Sequence, residues 1–101
     1  MPGDNCTYVL SAEADQDLDE IYDFILEQFG STQAVIYLTQ LDELLEPLCH
    51  NPEMGRERTD IRDELRSMVY NNHVVFYRVL KNHLHIVRVL HGSRDIPKFL
   101  N

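Results

Sequence analysis

The stretch RSMVYNNHVVFYRVLKNHLHIVRVLH, residues 66–91, decides the fold. It divides into three runs rich in Val, Tyr, Phe and Ile, at Arg66–Tyr70, His73–Leu80 and Leu84–His91. Branched and aromatic side chains fit the pleated, half-buried surface of a strand. The separators, Asn71-Asn72 and Lys81-Asn82-His83, are hairpin-turn material, and Asn tolerates the positive φ of tight hairpins. A meander of three strands is expected. Beyond it, residues 92–101 read as a turn and a short ordered segment, in which Pro97 prevents a regular strand.

Upstream, the period changes from two to that of a helix. Cys6–Leu10 is a short strand candidate, and Ser11 can accept from the free amides that open a helix. Glu13, Asp15 and Asp17 suit the positive end of that helix's dipole. Ala14, Leu18, Ile21, Tyr22, Ile25 and Phe29 form one expected buried stripe. Gly30 supplies the stop, and Ser31 is the expected cap of the next helix. There Ala34, Tyr37, Leu38, Leu41, Leu44, Leu45 and Leu48 repeat the stripe, until Pro47 is expected to kink or end it. Two stripes joined so tightly make an antiparallel hairpin, whose only cover is one face of the sheet. The expected fold is α+β, with two layers in the order β-α-α-β-β-β.

A chain of 101 residues buries one modest core, so residues 1–101 are expected to form a single domain. The hydrophobic share of 44% and charged share of 26% argue against disorder, and no apolar run is long enough to span a bilayer. The opening Met1–Asn5 lacks the character of a signal peptide, so a cytoplasmic location with Cys6 and Cys49 as reduced thiols is expected. The net charge of −8 conceals a division. Residues 1–55 carry twelve acids and no Lys or Arg, whereas residues 56–101 carry all nine Lys and Arg against five acids. A basic surface set apart from an acidic one is expected to meet something anionic.

Several local motifs resemble the RelE/ParE superfamily of toxins, and its ParE branch in particular. Ala14–Ile21 is similar to the A-x-x-D-L-x-x-I of the ParE-like first helix, and Phe29–Ala34 to its F/W-G-x-x-Q-A. Asn51–Arg56 resembles the N-P-x-x-G-R that leaves the second helix, while His73–Arg78 and Ile86–His91 match the ParE-like meander. The resemblance implies that the first strand joins the last, with both helices on one face. It also implies the toxin of a type II toxin–antitoxin system, in a hetero-oligomer with a cognate antitoxin lying along the hairpin and sheet.

Within that superfamily, ParE-like members poison DNA gyrase, and RelE-like relatives cut mRNA on the ribosome. RNA cleavage needs a base, cations for the developing phosphate charge and an acid for the leaving oxygen. The candidates here are Arg66, Arg94 and His91. Glu64 precedes the meander where a carboxylate would repel the phosphate, and His73 stands where those relatives carry an arginine. Lys98-Phe99-Leu100 offers no hydroxyl in place of their C-terminal tyrosine. A gyrase-binding poison without catalytic residues is therefore the expected activity, with the ribonuclease and a non-toxic antitoxin-binding relative as alternatives. The acidity, with a pI near 4.9, departs from the family and keeps the last reading open.

Other residues receive plainer readings. His83 and His85 alternate on a strand with no third ligand at suggestive spacing, so neither metal nor cofactor is expected. The carboxylates of the first helix are read as its solvated face. Tyr22 and Tyr37 belong to the helical core or the antitoxin groove. Arg56, Arg58, Arg62, Arg78 and Arg88 are the candidate contacts for target or antitoxin, some of them structural partners of Asp60, Asp63, Glu64 or Asp95. Arg78 and Arg88 are expected on the sheet face turned from the helices.

Overall fold

The structure is a computed structural model that describes residues 7–94 and 96–100. Its elements are β1 (Thr7–Leu10), α1 (Ala12–Phe29), α2 (Ser31–His50), β2 (Arg56–Glu57), β3 (Arg66–Tyr70), β4 (His73–Leu80), β5 (His83–His91) and α3 (Ile96–Leu100). The sheet order is β1-β5-β4-β3-β2, with β1 parallel to β5 and the other pairs antiparallel. First strand therefore joins last, as the resemblance implied. The two hairpins of the meander each turn in two residues, with Asn71 at φ 53° and Asn82 at φ 67°. His83 belongs to β5 rather than to the turn.

Alternation along the strands makes two cores. Val75 and Tyr77 of β4, with Leu84, Ile86 and Val89 of β5, pack under the hairpin stripes Ala14 and Ile25, and Ala34, Leu41, Leu45 and Leu48. Val74 and Phe76 face the opposite side, where Leu65, Leu90 and Leu100 complete a smaller cluster. That second cluster was not anticipated. It places α3 and the connection 58–65 over part of the face expected to lie open. β4 and β5 shift register at Phe76/Tyr77, so that Phe76 opposes Arg88 and Tyr77 opposes Ile86. The extra residue, Val87, inverts the alternation for the rest of β5 and turns Val89 and His91 toward the helices.

Other expectations are corrected. Ser11 caps α1 through its hydroxyl, which accepts from Ala14 N–H at 2.9 Å. Ser31, however, lies inside α2, whose cap is Gly30 at φ 96° with no side-chain bond. Pro47 does not end the helix, which runs on to His50. Leu48 and Cys49, both buried, give the last turn a packing reason to persist despite the missing amide proton. Phe29 leaves the buried stripe and is 69% exposed. β2 is a two-residue exposed strand with no alternation to betray it, and the tail is helical because Pro97 falls in the first turn of α3, where its fixed φ suits a helix. Cys49 is disulfide-bonded, against the expected reduced thiol, and its sulfur lies 3.1 Å from the Thr7 carbonyl oxygen. The readings made for residues 1–6, for Asp95 and for Asn101 fall outside the described residues.

Candidate functional site: a cleft beneath the helical hairpin

β1 stops at Leu10, so the second half of β5, paired with β4 on one side, has no strand on the other. The chain seals this edge with the start of α1. Ser11 N–H donates to the Ile86 carbonyl (2.9 Å), Ser11 Oγ to the Val87 carbonyl (2.7 Å), and Val89 N–H to Asp17 Oδ2 (3.0 Å). Arg88 closes the seal by donating Nε and Nη2 to the two Asp17 oxygens, both at 2.8 Å. Asp17 is thus buried, not part of a solvated face. Its hydrogen bond holds the Arg88 guanidinium above its ordinary range, and the charges of Glu13 and Glu20 act in the same sense. The sequence carries the signal for this: position 17 sits three residues after Ala14 and four before Ile21, on the buried stripe.

At Asp17, α1 is level with Val89, two residues from the end of β5. It runs on for twelve more residues, about 18 Å at a helical rise, and so overhangs the sheet. Beneath the overhang opens a cleft lined from above by Ile21, Phe24, Phe29 and Tyr37 and from below by His73, His91 and Arg94. No sheet reaches Phe24 or Phe29, which accounts for their exposure.

The floor is ordered by a chain of polar contacts. Tyr70 Oη donates to the Tyr37 carbonyl (2.8 Å), and Tyr37 Oη bonds His73 Nδ1 (2.9 Å). The His73 and His91 rings meet edge to face at 5.5 Å. Burial holds the Tyr37 phenol well above its usual range, so it stays protonated. Burial and the neighbouring His91 lower His73, with Asp17 opposing them. His91 Nδ1 accepts from Ser93 N–H (3.1 Å), which assigns the proton of the neutral ring to Nε2.

The arginines expected to form a contact surface are mostly engaged within the molecule. Arg58 pairs with Asp60 (3.2 Å), reaches Ser67 Oγ (3.4 Å) and lies over the Phe76 ring. Arg62 donates to the Leu100 carbonyl (3.4 Å). Arg66 donates to the Gly55 carbonyl (2.8 Å) and pairs with Glu57 (3.3 Å). Arg88 and Arg94 both lie over the Phe99 ring, at 5.6 and 5.2 Å from its centre. Register puts Arg78 and Arg88 on the side of Phe76, turned from the hairpin, but Arg88 bends over the edge to Asp17. Arg56, exposed on β2, and Arg78 make no ion pair among the described residues. Tyr22 is partly buried against the main core and Tyr37 lies within it.

Of the residues proposed for RNA cleavage, the fold unites His91 and Arg94, with Arg94 N–H donating to the His91 carbonyl (3.0 Å). Arg66 is elsewhere. It opposes Tyr77, which opposes Ile86, five residues and about 16 Å along β5 from His91. Among the described residues no group of three His, Cys, Asp or Glu could hold a metal ion, and no helix is long and apolar enough to cross a membrane.

The helical hairpin thus lies over a mixed sheet whose first strand pairs with its last, and comparison with known proteins places this fold. The family model of the ParE toxin of type II toxin–antitoxin systems (parDE) matches residues 8–96, and the chain belongs to that family. It is 35% identical over 94 residues to Toxin ParE1 of Mycobacterium tuberculosis (strain CDC 1551 / Oshkosh), spanning 92% of this chain and 96% of that protein. It is 37% identical over 88 residues to Toxin ParE1 of Caulobacter vibrioides, spanning 87% and 91%. Among solved structures, a chain of the chromosomal ParDE TA system from P. aeruginosa shares the fold, with a TM-score of 0.72 at 21% identity over 87% of this chain and 97% of that one.

Proposed function

We propose that this chain is a non-enzymatic toxin that acts in the cytoplasm by binding and inhibiting DNA gyrase, and that a cognate antitoxin neutralises it in a hetero-oligomer. The observation that carries the non-catalytic half is the dispersal of the ribonuclease candidates. Arg66 is about 16 Å along the sheet from His91 and is already paired with Glu57. A phosphate at His91 and Arg94 would lack that second cation, and general acid–base chemistry requires its groups within hydrogen-bond reach of one substrate. The antitoxin half rests on family membership and on the fold shared with a ParDE system. Arg56 and Arg78 are the arginines left for contact with the target.

Purified protein in gyrase supercoiling and DNA-cleavage assays, run beside in vitro translation with primer extension on the mRNA, tests the reading. Blocked supercoiling with intact mRNA is expected. Codon-related cuts in the message, lost in His91→Ala or Arg94→Ala, would establish the ribonuclease instead.

A further inference from the structure

The rear face of the sheet, turned from the hairpin, is only partly covered. Leu65, Phe76, Leu90 and Leu100 fill one end of it. At the other end register sets Val9, His85 and Arg78 in one row across three strands, with His83 and Leu80 in the next. None of these five belongs to the rear cluster, and each is exposed or partly exposed. Exposed Lys81 follows in the turn. Arg56 shares the face, because it opposes Ser67, which opposes Phe76. Two strand spacings and two residues separate Arg56 from Arg78, about 12 Å.

Few carboxylates answer these cations. From Leu65 to Arg94 the chain has no Asp or Glu. Neither Arg78 nor Lys81 makes an ion pair among the described residues. On the connection 58–65, Asp60 is held by Arg58 and also feels Arg56, so the charge of Arg56 is partly shared. Asp63 is exposed, and Glu64 lines a hollow with Glu53, Glu57 and Val79, of which Val79 faces the hairpin. The hairpin itself carries ten acids, three of them acting on Arg88. An anionic partner is therefore repelled from the front and received at the rear. The line from Arg56 through Arg78 to Lys81 crosses the sheet diagonally for about 20 Å, with single cations set apart by neutral side chains. That spread suits a strand of phosphates, which offers charge continuously along its length, better than carboxylates fixed at a few points.

We propose that the rear face meets the DNA held by the target, with Arg56, Arg78 and Lys81 against its phosphates and His83 and His85 beside them. This rests on the proposal that the target is gyrase, and it adds that the toxin grips enzyme and DNA together. Three contacts give a chain of net charge −8 little affinity for free DNA. Docking on the enzyme raises the local concentration of DNA, and the contacts then count.

The labelled full chain is titrated by fluorescence anisotropy with gyrase alone and with gyrase holding a linear duplex, at 50 and 200 mM salt. The duplex is expected to tighten binding about tenfold at 50 mM and not at 200 mM, since about three phosphate contacts give a log–log salt slope near −2.7. Arg56→Gln/Arg78→Gln/Lys81→Gln, with a melting curve like the parent's, is expected to abolish the gain. Arg56→Lys/Arg78→Lys is expected to keep it, because either cation neutralises a phosphate. No gain in the parent, or a gain that the glutamine variant retains, would overturn the DNA contact and leave the gyrase reading standing. Equal weakening with and without duplex is such a result, and would assign the face to an acidic protein surface. Head-to-tail assembly of the chain alone, abolished in the same variant, would assign it to a second copy and overturn the proposal likewise. A parent that does not bind gyrase would sink both readings.

Discussion

Asp17 accepts from the Val89 amide and from two nitrogens of Arg88, and so ties the start of α1 to the free edge of β5. Its removal would leave the Val89 amide without its acceptor and the Arg88 guanidinium without its counter-charge, with only the Phe99 ring and carbonyl beside it. We expect Asp17→Ala to cost about 3 kcal/mol, and Asn, which keeps one acceptor, to cost less; urea denaturation of the two variants checks the order. His73 gives a second, pH-dependent effect. Its folded pKa lies below the ordinary 6.5 because of burial and His91. As pH falls through 6.5 the unfolded chain takes up a proton that the folded chain still refuses, so stability declines with acid until the lower folded value is passed. The urea midpoint is expected to fall between pH 7.5 and 5.5, and to fall less in His73→Gln.

Gly55 shows what the glycine of the N-P-x-x-G-R exit does. A Cβ there would fall on Tyr77 Oη, the hydroxyl that donates to the Pro52 carbonyl and ties the exit of α2 to the sheet. Gly55→Ala is expected to destabilise by about 2 kcal/mol or more through overpacking, read as a lower urea midpoint. Pro47→Ala works in the opposite direction. It restores an amide inside a helix that persists to His50, and about 1–2 kcal/mol of added stability is expected from the same measurement. These elements also show what the sequence discloses. The helical stripes and Asn turns were legible because each is a local pattern with one backbone solution. β2 was not, since two exposed residues carry no period. The last turn of α2 depends on burial of Leu48 and Cys49 against elements distant in sequence, which no helix rule contains. The cleft lay hidden for a similar reason: Phe29 has core spacing, and only the length of α1 against β5 shows that the sheet ends short of it.

For the whole molecule, the division of charge seen in the sequence is real but differently expressed. The acidic half forms a largely unneutralised hairpin. The basic half ties most of its arginines to carboxylates, carbonyls and the rings of Phe76 and Phe99, pairings that spacing alone could not reveal. The rear cluster depends on α3, so a chain ending at residue 95 would expose Leu65, Phe76 and Leu90. Loss of the buried Leu100 and its neighbours is expected to lower the melting temperature by about 10 °C, measured by circular dichroism. The pairing of β1 with β5 has a further consequence, in the time order of synthesis. The hairpin leaves the ribosome long before residues 83–91, so the floor, the edge seal and the cleft all come into being near the end of translation. Any change that delays the arrival of β5 lengthens the interval in which the nascent hairpin stands uncovered and open to proteases.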